Sequence, residues 1–250
     1  MKKVTENDGN RTAILGENDY RRRMKLDVEP YLRSYEADGY VESYDKTAIY
    51  YRTYHIPQAK AGIVISHGFC EFGEKYMEVI YYFLKNGYSV YIPEHRGHGY
   101  SDRLVEDGEK VHIEDYEQYV QDFHYFIKTV VEPKKEKKIL FCHSMGGAIG
   151  VRYLEEFPLT FDAAILSAPM LGVNTGKYPK WLAKIAADFF CLIGKGTRYA
   201  AGQGGFLDHP SFETSSCLSK DRYMYVYNMR LGNINYQTYG GTYAWVKAGF

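Results

Sequence analysis

Residues 141–147, with the sequence FCHSMGG, constrain the fold of this chain more than any other segment. They lie between an apolar run at 138–142 that is typical of a strand and a helical pattern at 144–157 that Pro158 closes. A serine on such a sharp strand-to-helix turn, followed by two glycines, is exposed at the carboxyl end of its strand. The segment therefore predicts that Ser144 presents its hydroxyl as a nucleophile. The alternative is that this serine only caps the helix.

The rest of the chain alternates strand patterns with helix patterns. Strands are predicted at 61–66, 88–92, 138–142 and 163–167, after a hairpin formed by 39–43 and 48–54. Helices are predicted at 75–85, 115–131 and 144–157, and then at 180–192, 218–230 and 239–248. This order predicts an α/β fold, with a mainly parallel sheet and helices on both faces. We divide the chain into a charged lead-in at 1–35, a core at 36–171 and a helical region at 172–250.

Composition excludes several classes of protein. With 250 residues and 45% apolar content, one domain with a full-sized core is expected. Lys plus Arg and Asp plus Glu number 31 each, which gives no reason to expect nucleic acid as a partner. The sequence has no apolar run near 18 residues and no apolar signal segment in its first ten residues. The four cysteines lie far apart, which favours a reducing cytoplasm over a disulfide framework or a zinc site.

One basic run, RRRMK at 21–25, departs from this even balance of charge. Such a run is usually a solvated surface. A phosphate-facing role or a peripheral contact with a membrane is the alternative.

Two further loops carry candidate functional residues. The sequence HGFC at 67–70 follows a predicted strand, at the place where such folds supply one backbone N–H of an oxyanion hole; the residue after the nucleophile supplies the other. The oxyanion donors are therefore predicted to be Phe69 and Met145. His67 is expected to brace its loop rather than act as a base, because the base should follow the serine.

The second loop, HRGHGYSD at 95–102, is rich in glycine and contains an arginine suited to pairing with a carboxylate. A metal site at His95 and His98 lacks further ligands nearby. The remaining histidines are expected to be structural or ordinary surface residues: His143, His55, His112 and His124.

Together, the segments at 67–71, 95–101 and 143–147 resemble the lysophospholipase and monoacylglycerol lipase branch of the α/β-hydrolases, which is serine aminopeptidase-like. The segments SAPM at 167–170 and GGT at 240–242 are also similar to the lysophospholipases. Cys142 departs from the small Gly or Ala that this family commonly has before His-Ser.

The resemblance implies a serine hydrolase of carboxylic esters that acts on lysophospholipids or monoacylglycerols through an acyl-enzyme on Ser144, and that needs no cofactor or metal. Residues 172–250 then correspond to a helical cap. Six apolar residues could line an acyl pocket there, or could simply pack helices together: Met170, Leu171, Trp181, Leu182, Phe189 and Phe190.

The resemblance places the catalytic Asp after the strand that follows the cap and the His one strand later still, and this sequence ends at Phe250 before either strand. We therefore expect a truncated chain that lacks its last strands, with low stability and weak activity. Asp208 and His209 form the one adjacent acid–base pair after Ser144, in the wrong order for a triad. Two alternatives stay open: a non-catalytic acyl- or lipid-binding relic, and a small-peptide aminopeptidase.

Overall fold

The computed structural model describes residues 14–134, 137–176 and 178–250. Its centre is a six-stranded sheet with the strand order β1-β2-β4-β3-β6-β7. The strands of this sheet are β1 Glu36–Glu42, β2 Ala48–Tyr54, β3 Gly62–Ser66, β4 Ser89–Pro93, β6 Lys138–His143 and β7 Ala163–Ser167. The predicted hairpin and the four predicted strands are all present.

Parallel pairing joins β4, β3, β6 and β7, whereas β1 and β2 add two antiparallel pairs at one side. β3 and β4 are buried along their whole length. A strand covered on both faces needs no polar alternation, which explains why these strands read as continuous apolar runs. The predicted α/β fold with a mainly parallel sheet is confirmed.

Two apolar cores lie on opposite faces of the sheet because successive side chains of a strand point to opposite sides. In β3, Val64 belongs to one core, whereas Ile63 and Ile65 belong to the other. The first core receives the buried face of a helix at Glu117–Phe126 (α4), which continues through a π-helical turn at Ile127–Val131.

The other helices include two short ones before residue 34, for which no bounds are predicted, and the rest are no longer than predicted. They are α1 Tyr20–Arg23 and α2 Glu29–Arg33, joined by a π-helical turn at Met24–Val28, then α3 Met77–Lys85, α5 Met145–Glu156, α6 Lys180–Leu192, α7 Lys220–Gly232 and α8 Tyr243–Ala248. Short 3₁₀ turns occur at Gly73–Tyr76, Glu132–Lys134, Phe212–Thr214 and Ile234–Tyr236.

The predicted start of the helix at 239–248 is wrong, because the helix begins at Tyr243. Gly240–Gly241 forms a two-residue strand, β8, that pairs in parallel with β5 at Lys110–Val111. The prediction for His112 as an ordinary surface residue is also wrong, because its side chain is buried against Thr242, with 3.0 Å between Nδ1 and Oγ1. These contacts join segments about 130 residues apart, which local sequence patterns do not reveal.

The predicted lead-in falls partly outside the described residues. Its described part is the helical run at 20–33, which buries Met24, Val28 and Leu32 in the second core. Within the basic run, Arg23 pairs with Asp27 at 3.0 Å, and the run lies in the helical segment at 20–28. In the part of the chain with described structure, no helix has the length and apolar character needed to cross a bilayer.

Candidate active site

Ser144 lies at the turn between β6 and α5 with φ 51° and ψ −117°. This positive φ is unfavourable for a residue with a side chain, so the surrounding contacts must hold it in place. The N–H of Ser144 donates to the carbonyl of Ser167, and its own carbonyl accepts from the N–H groups of Gly147 and Met170. The turn is thereby tied to the segment that follows β7.

The glycines after Ser144 are required by close packing. A Cβ on Gly146 would lie 2.1 Å from the carbonyl oxygen of Ser66, and one on Gly147 would lie 2.6 Å from Pro169. Cys142 departs from the common pattern without a clash, because Gly150 faces it: a Cβ there would lie 2.4 Å from the Cys142 sulfur. The side chain at position 142 is thus accommodated by a glycine eight residues later, on α5.

His67 braces its loop, as the sequence predicts. Its Nδ1–H donates to the carbonyl of Gly68 at 2.8 Å, and its Nε2 accepts from the N–H of His95 at 2.9 Å. Burial lowers the pKa of His67 to about 4, so the ring is neutral at pH 7. A neutral imidazole is the form that these two hydrogen bonds require.

His98 supports the same loop from the second glycine-rich segment. Its Nε2 accepts from the N–H of Cys70 at 3.1 Å, and its Nδ1–H donates to the carbonyl of Arg96 at 3.1 Å. Burial lowers the pKa of His98 well below the usual range. Within the described residues, no hydrogen bond occupies the backbone N–H of Phe69 or of Met145. Both predicted oxyanion donors are therefore unused by the protein itself.

Arg96 makes the predicted pair with a carboxylate, and it does so deep in the molecule. Its guanidinium contacts both oxygens of Asp122 at 2.6 Å and also reaches Asp45 at 2.9 Å. The arginine and Asp122 are buried. This pair fixes the 95–102 loop against α4.

Glu71 is a buried carboxylate to which the sequence assigned no role. It accepts from the N–H of Gly68 at 2.7 Å and from the Tyr76 hydroxyl at 2.6 Å, and it contacts Lys75 and the Nδ1 of His143, the latter at 3.3 Å. Burial acts to raise the pKa of Glu71, but the hydrogen bond and charge of His143, with the charge of Lys75, outweigh it and hold the pKa well below the usual range. His143 thereby links the serine turn to the loop at 67–71, which we call the Phe69 loop. This is a structural role like the one predicted.

A cavity of about 560 Å³ adjoins the serine turn through His143. Its walls come from α3, from α7 and from the loop between α6 and α7. None of the six predicted acyl-pocket residues lines it. Met170 and Leu171 line a different cavity of about 440 Å³, and Phe190 stacks on Tyr243 at 4.1 Å. The structure does not bring the six together.

Asp208 and His209 contact each other at 3.3 Å between Oδ1 and Nδ1, and both side chains are largely exposed. His209 lines the same cavity as His143. Across the described ranges, no histidine is hydrogen-bonded to the Ser144 hydroxyl.

Solved structures with the same fold place the chain in its class. The monoglyceride lipase of Saccharomyces cerevisiae matches with a TM-score of 0.62 at 16% identity, covering 84% of this chain and 66% of that one. A carboxyl esterase from Bacillus coagulans matches with a TM-score of 0.54 at 21% identity, covering 66% and 53%. The sheet, its flanking helices and the serine turn have the arrangement of the α/β-hydrolase fold.

Sequence comparisons identify the family to which the chain belongs. The family model described as "Serine aminopeptidase, S33" matches residues 57–216. Lysophospholipase L2 of Escherichia coli K12 is 32% identical over 189 residues, which cover 74% of this chain and 55% of the relative. The monoacylglycerol lipase of Mycolicibacterium smegmatis is 32% identical over 122 residues, covering 48% and 42%. The chain belongs to the serine aminopeptidase S33 family, in its lysophospholipase and monoacylglycerol lipase branch. It spans about half the length of the curated relatives it matches.

Proposed function

We propose that the protein is a serine hydrolase of carboxylic esters, with lysophospholipids or monoacylglycerols as substrates. The observation that carries the proposal is the conformation of Ser144. Its φ is positive, and the turn is held by backbone hydrogen bonds and by two glycines that pack too closely for any side chain. A serine that only caps a helix does not need this strained conformation. The conformation serves to expose the hydroxyl at the carboxyl end of the sheet.

In the proposed reaction, the Ser144 oxygen attacks the ester carbonyl carbon while a base takes its proton. The negative charge on the former carbonyl oxygen is stabilised by the N–H groups of Phe69 and Met145. Collapse of this intermediate releases the alcohol and leaves an acyl-enzyme, which water then hydrolyses. The proposed Asp and His of the triad follow the region that this chain covers, in the order Ser…Asp…His of the fold. His209 is the alternative base.

The proposal is tested with the full-length gene product and a Ser144→Ala variant, assayed on p-nitrophenyl acyl esters. We expect turnover to fall by at least about 10⁴-fold, because the nucleophile is lost while oxyanion stabilisation and binding remain. A fluorophosphonate probe should label the wild type and not the variant. Ser34→Ala, on an exposed serine at the end of α2, is the matched control and should keep full activity.

Three results would reject the proposal or narrow it. Ester turnover that survives Ser144→Ala would exclude this serine as the nucleophile. Ligand binding without turnover, unaffected by the substitution, would identify the binding relic. Faster cleavage of amino-acid anilides than of acyl esters would identify an aminopeptidase.

A further inference from the structure

The cavity beside the serine turn has an uneven distribution of charge. Its lining includes three basic side chains, Lys75, Arg222 and Arg230, and one carboxylate, Glu78. Apolar residues occupy other parts of the wall: Val79, Phe206, Leu207 and Val226. A pocket with apolar walls and a few placed polar groups is the usual form of a small-molecule site, and about 560 Å³ is within the usual range of volumes.

Two of the three cations are already neutralised by carboxylates. Lys75 pairs with Glu71, and Arg222 pairs with Glu17 and with Glu78. These ion pairs fix the two side chains in position, and the carboxylates balance their positive charge.

Arg230 differs, because it forms no ion pair with any carboxylate of the described chain. One of its N–H groups donates to the carbonyl of Cys70, and its guanidinium lies 5.8 Å from the centre of the Phe72 ring. A guanidinium has five N–H donors, so most of them remain available at the cavity wall. Half-buried donors of this kind, with positive charge, are suited to an anion with several oxygens.

The position of Arg230 relates the cavity to the proposed reaction centre. The carbonyl that it holds belongs to Cys70, the residue directly after the predicted oxyanion donor Phe69. His143, directly before Ser144, lines the same cavity. A group bound at Arg230 is therefore close to both halves of the site. In a lysophospholipid only the three-carbon glycerol unit separates the scissile ester from the phosphate.

We propose that this cavity is a phosphate subsite, in which Arg230 binds the phosphate group of a lysophospholipid and so favours phosphate-bearing lipids over uncharged monoacylglycerols. The inference rests on the proposed ester hydrolysis and specifies its substrate. The free N–H groups of Arg230 donate to two phosphate oxygens, while its bond to Cys70 keeps the guanidinium in place.

The test compares two substrates with the same acyl chain, 1-octanoyl-lysophosphatidylglycerol and 1-octanoylglycerol, on the full-length enzyme. Arg230→Gln should lower kcat/KM for the phosphate-bearing substrate by about 10- to 100-fold, the value of a hydrogen bond to a charged group, mainly through KM. Turnover of 1-octanoylglycerol should fall much less, because only the contact with Cys70 is lost there, so the ratio of kcat/KM for the two substrates should drop. Arg230→Lys should retain part of the preference. Arg152→Gln, an exposed arginine paired with Glu155 on α5, is the control and should alter neither substrate.

Equal losses for both substrates would overturn the proposal, since they would show that Arg230 only positions the Phe69 loop through Cys70. Unchanged kinetics for both would overturn it as well. If Arg230→Gln lowers the melting temperature, Arg230→Lys decides between the two roles. Recovery of both the melting temperature and the preference for the phosphate-bearing substrate would support the proposal. Recovery of the melting temperature without that preference would overturn it.

A binding measurement separates this proposal from the proposed function. Calorimetry with sn-glycerol 3-phosphate and with inorganic phosphate uses the Ser144→Ala enzyme, so no turnover is required. The proposal is supported if glycerol phosphate binds more strongly than free phosphate and if this binding is lost when Arg230→Gln is added. This result would support a lipid phosphate as the ligand even if the protein does not hydrolyse esters. Equal binding of both ligands would make this a free-phosphate site and overturn the lipid assignment, whether or not the enzyme hydrolyses esters.

Discussion

The loops around the serine turn and the helix α6 differ in the contacts that hold them in place. Behind the Phe69 loop, the rings of His67, His95 and His98 are buried and each makes hydrogen bonds. α6 buries one residue, Ala187, while Trp181 is 65% exposed and Phe189 is 54% exposed. One region is held by directional polar contacts, and the other keeps most of its apolar surface in water.

The two regions therefore differ in how precisely their side chains are held. The atoms proposed to react lie on loops whose positions are fixed by hydrogen bonds between buried groups. Such bonds are lost when the groups move apart, so they tolerate little displacement. Apolar side chains stabilise a fold only when they lose contact with water, so the exposed face of α6 adds little to the stability of the described structure. The same is true of β7, whose five residues are all exposed.

The largest expected contrast concerns two carboxylates: Asp122, which holds the 95–102 loop from α4, and Asp188 on α6. Asp122→Ala leaves the buried Arg96 with Asp45 as its remaining partner, and breaking a buried pair costs about 3–5 kcal/mol of unfolding free energy. Asp188→Ala removes an exposed pair with Lys184 on α6 and should cost less than about 1 kcal/mol. Urea unfolding of the 250-residue chain at pH 7.5 measures both. Similar costs for the two variants would contradict the comparison.

The buried histidines predict the next contrast, a loss of stability in mild acid. In the unfolded chain a histidine binds its proton near pH 6.5, but His67 resists protonation down to about pH 4 in the folded state. The unfolded state therefore holds more protons in this window, so stability falls as the pH drops from about 6.5 toward 4 and is flat above it. For His67 the loss by pH 4 is about 3 kcal/mol.

Two further groups near the loops titrate in a different window. Arg96 and Thr47 lower the pKa of Asp45 to about 2 against the opposing effect of burial, and the pKa of Glu71 is also depressed. Their stabilisation is lost only below about pH 4. Burial raises the pKa of Glu94 and of Asp122, so these two carboxyl groups act in the opposite direction as the pH falls. The change in unfolding free energy between pH 7.5 and 5 is therefore the effect of the histidines less that of these two groups. A flat profile for the wild type would refute the proposed loss of stability from the buried, neutral histidines.

Local patterns predicted most of the fold but not the contacts between distant segments. The turn at Ser144 was predictable because strand, glycines and helix are adjacent in sequence. The pairing of β5 with β8 and the burial of His112 were not, because they join segments far apart. Nor does any local signal distinguish Arg230 from the other basic residues of its helix: its role depends on Cys70, which lies on another loop.

The smallest expected effect is that of Phe189→Ala on α6. Phe123, on α4, is buried in the first core, and its replacement by alanine should cost about 3–5 kcal/mol through the lost burial and the cavity left behind. Phe189 is 54% exposed and touches the ring of Phe190, so the same substitution there should cost less than about 1 kcal/mol. Urea unfolding of both variants against the 250-residue chain measures the difference. A cost near that of Phe123→Ala would mean that Phe189 is covered in solution, and the exposed face of α6 would then belong to the packed molecule.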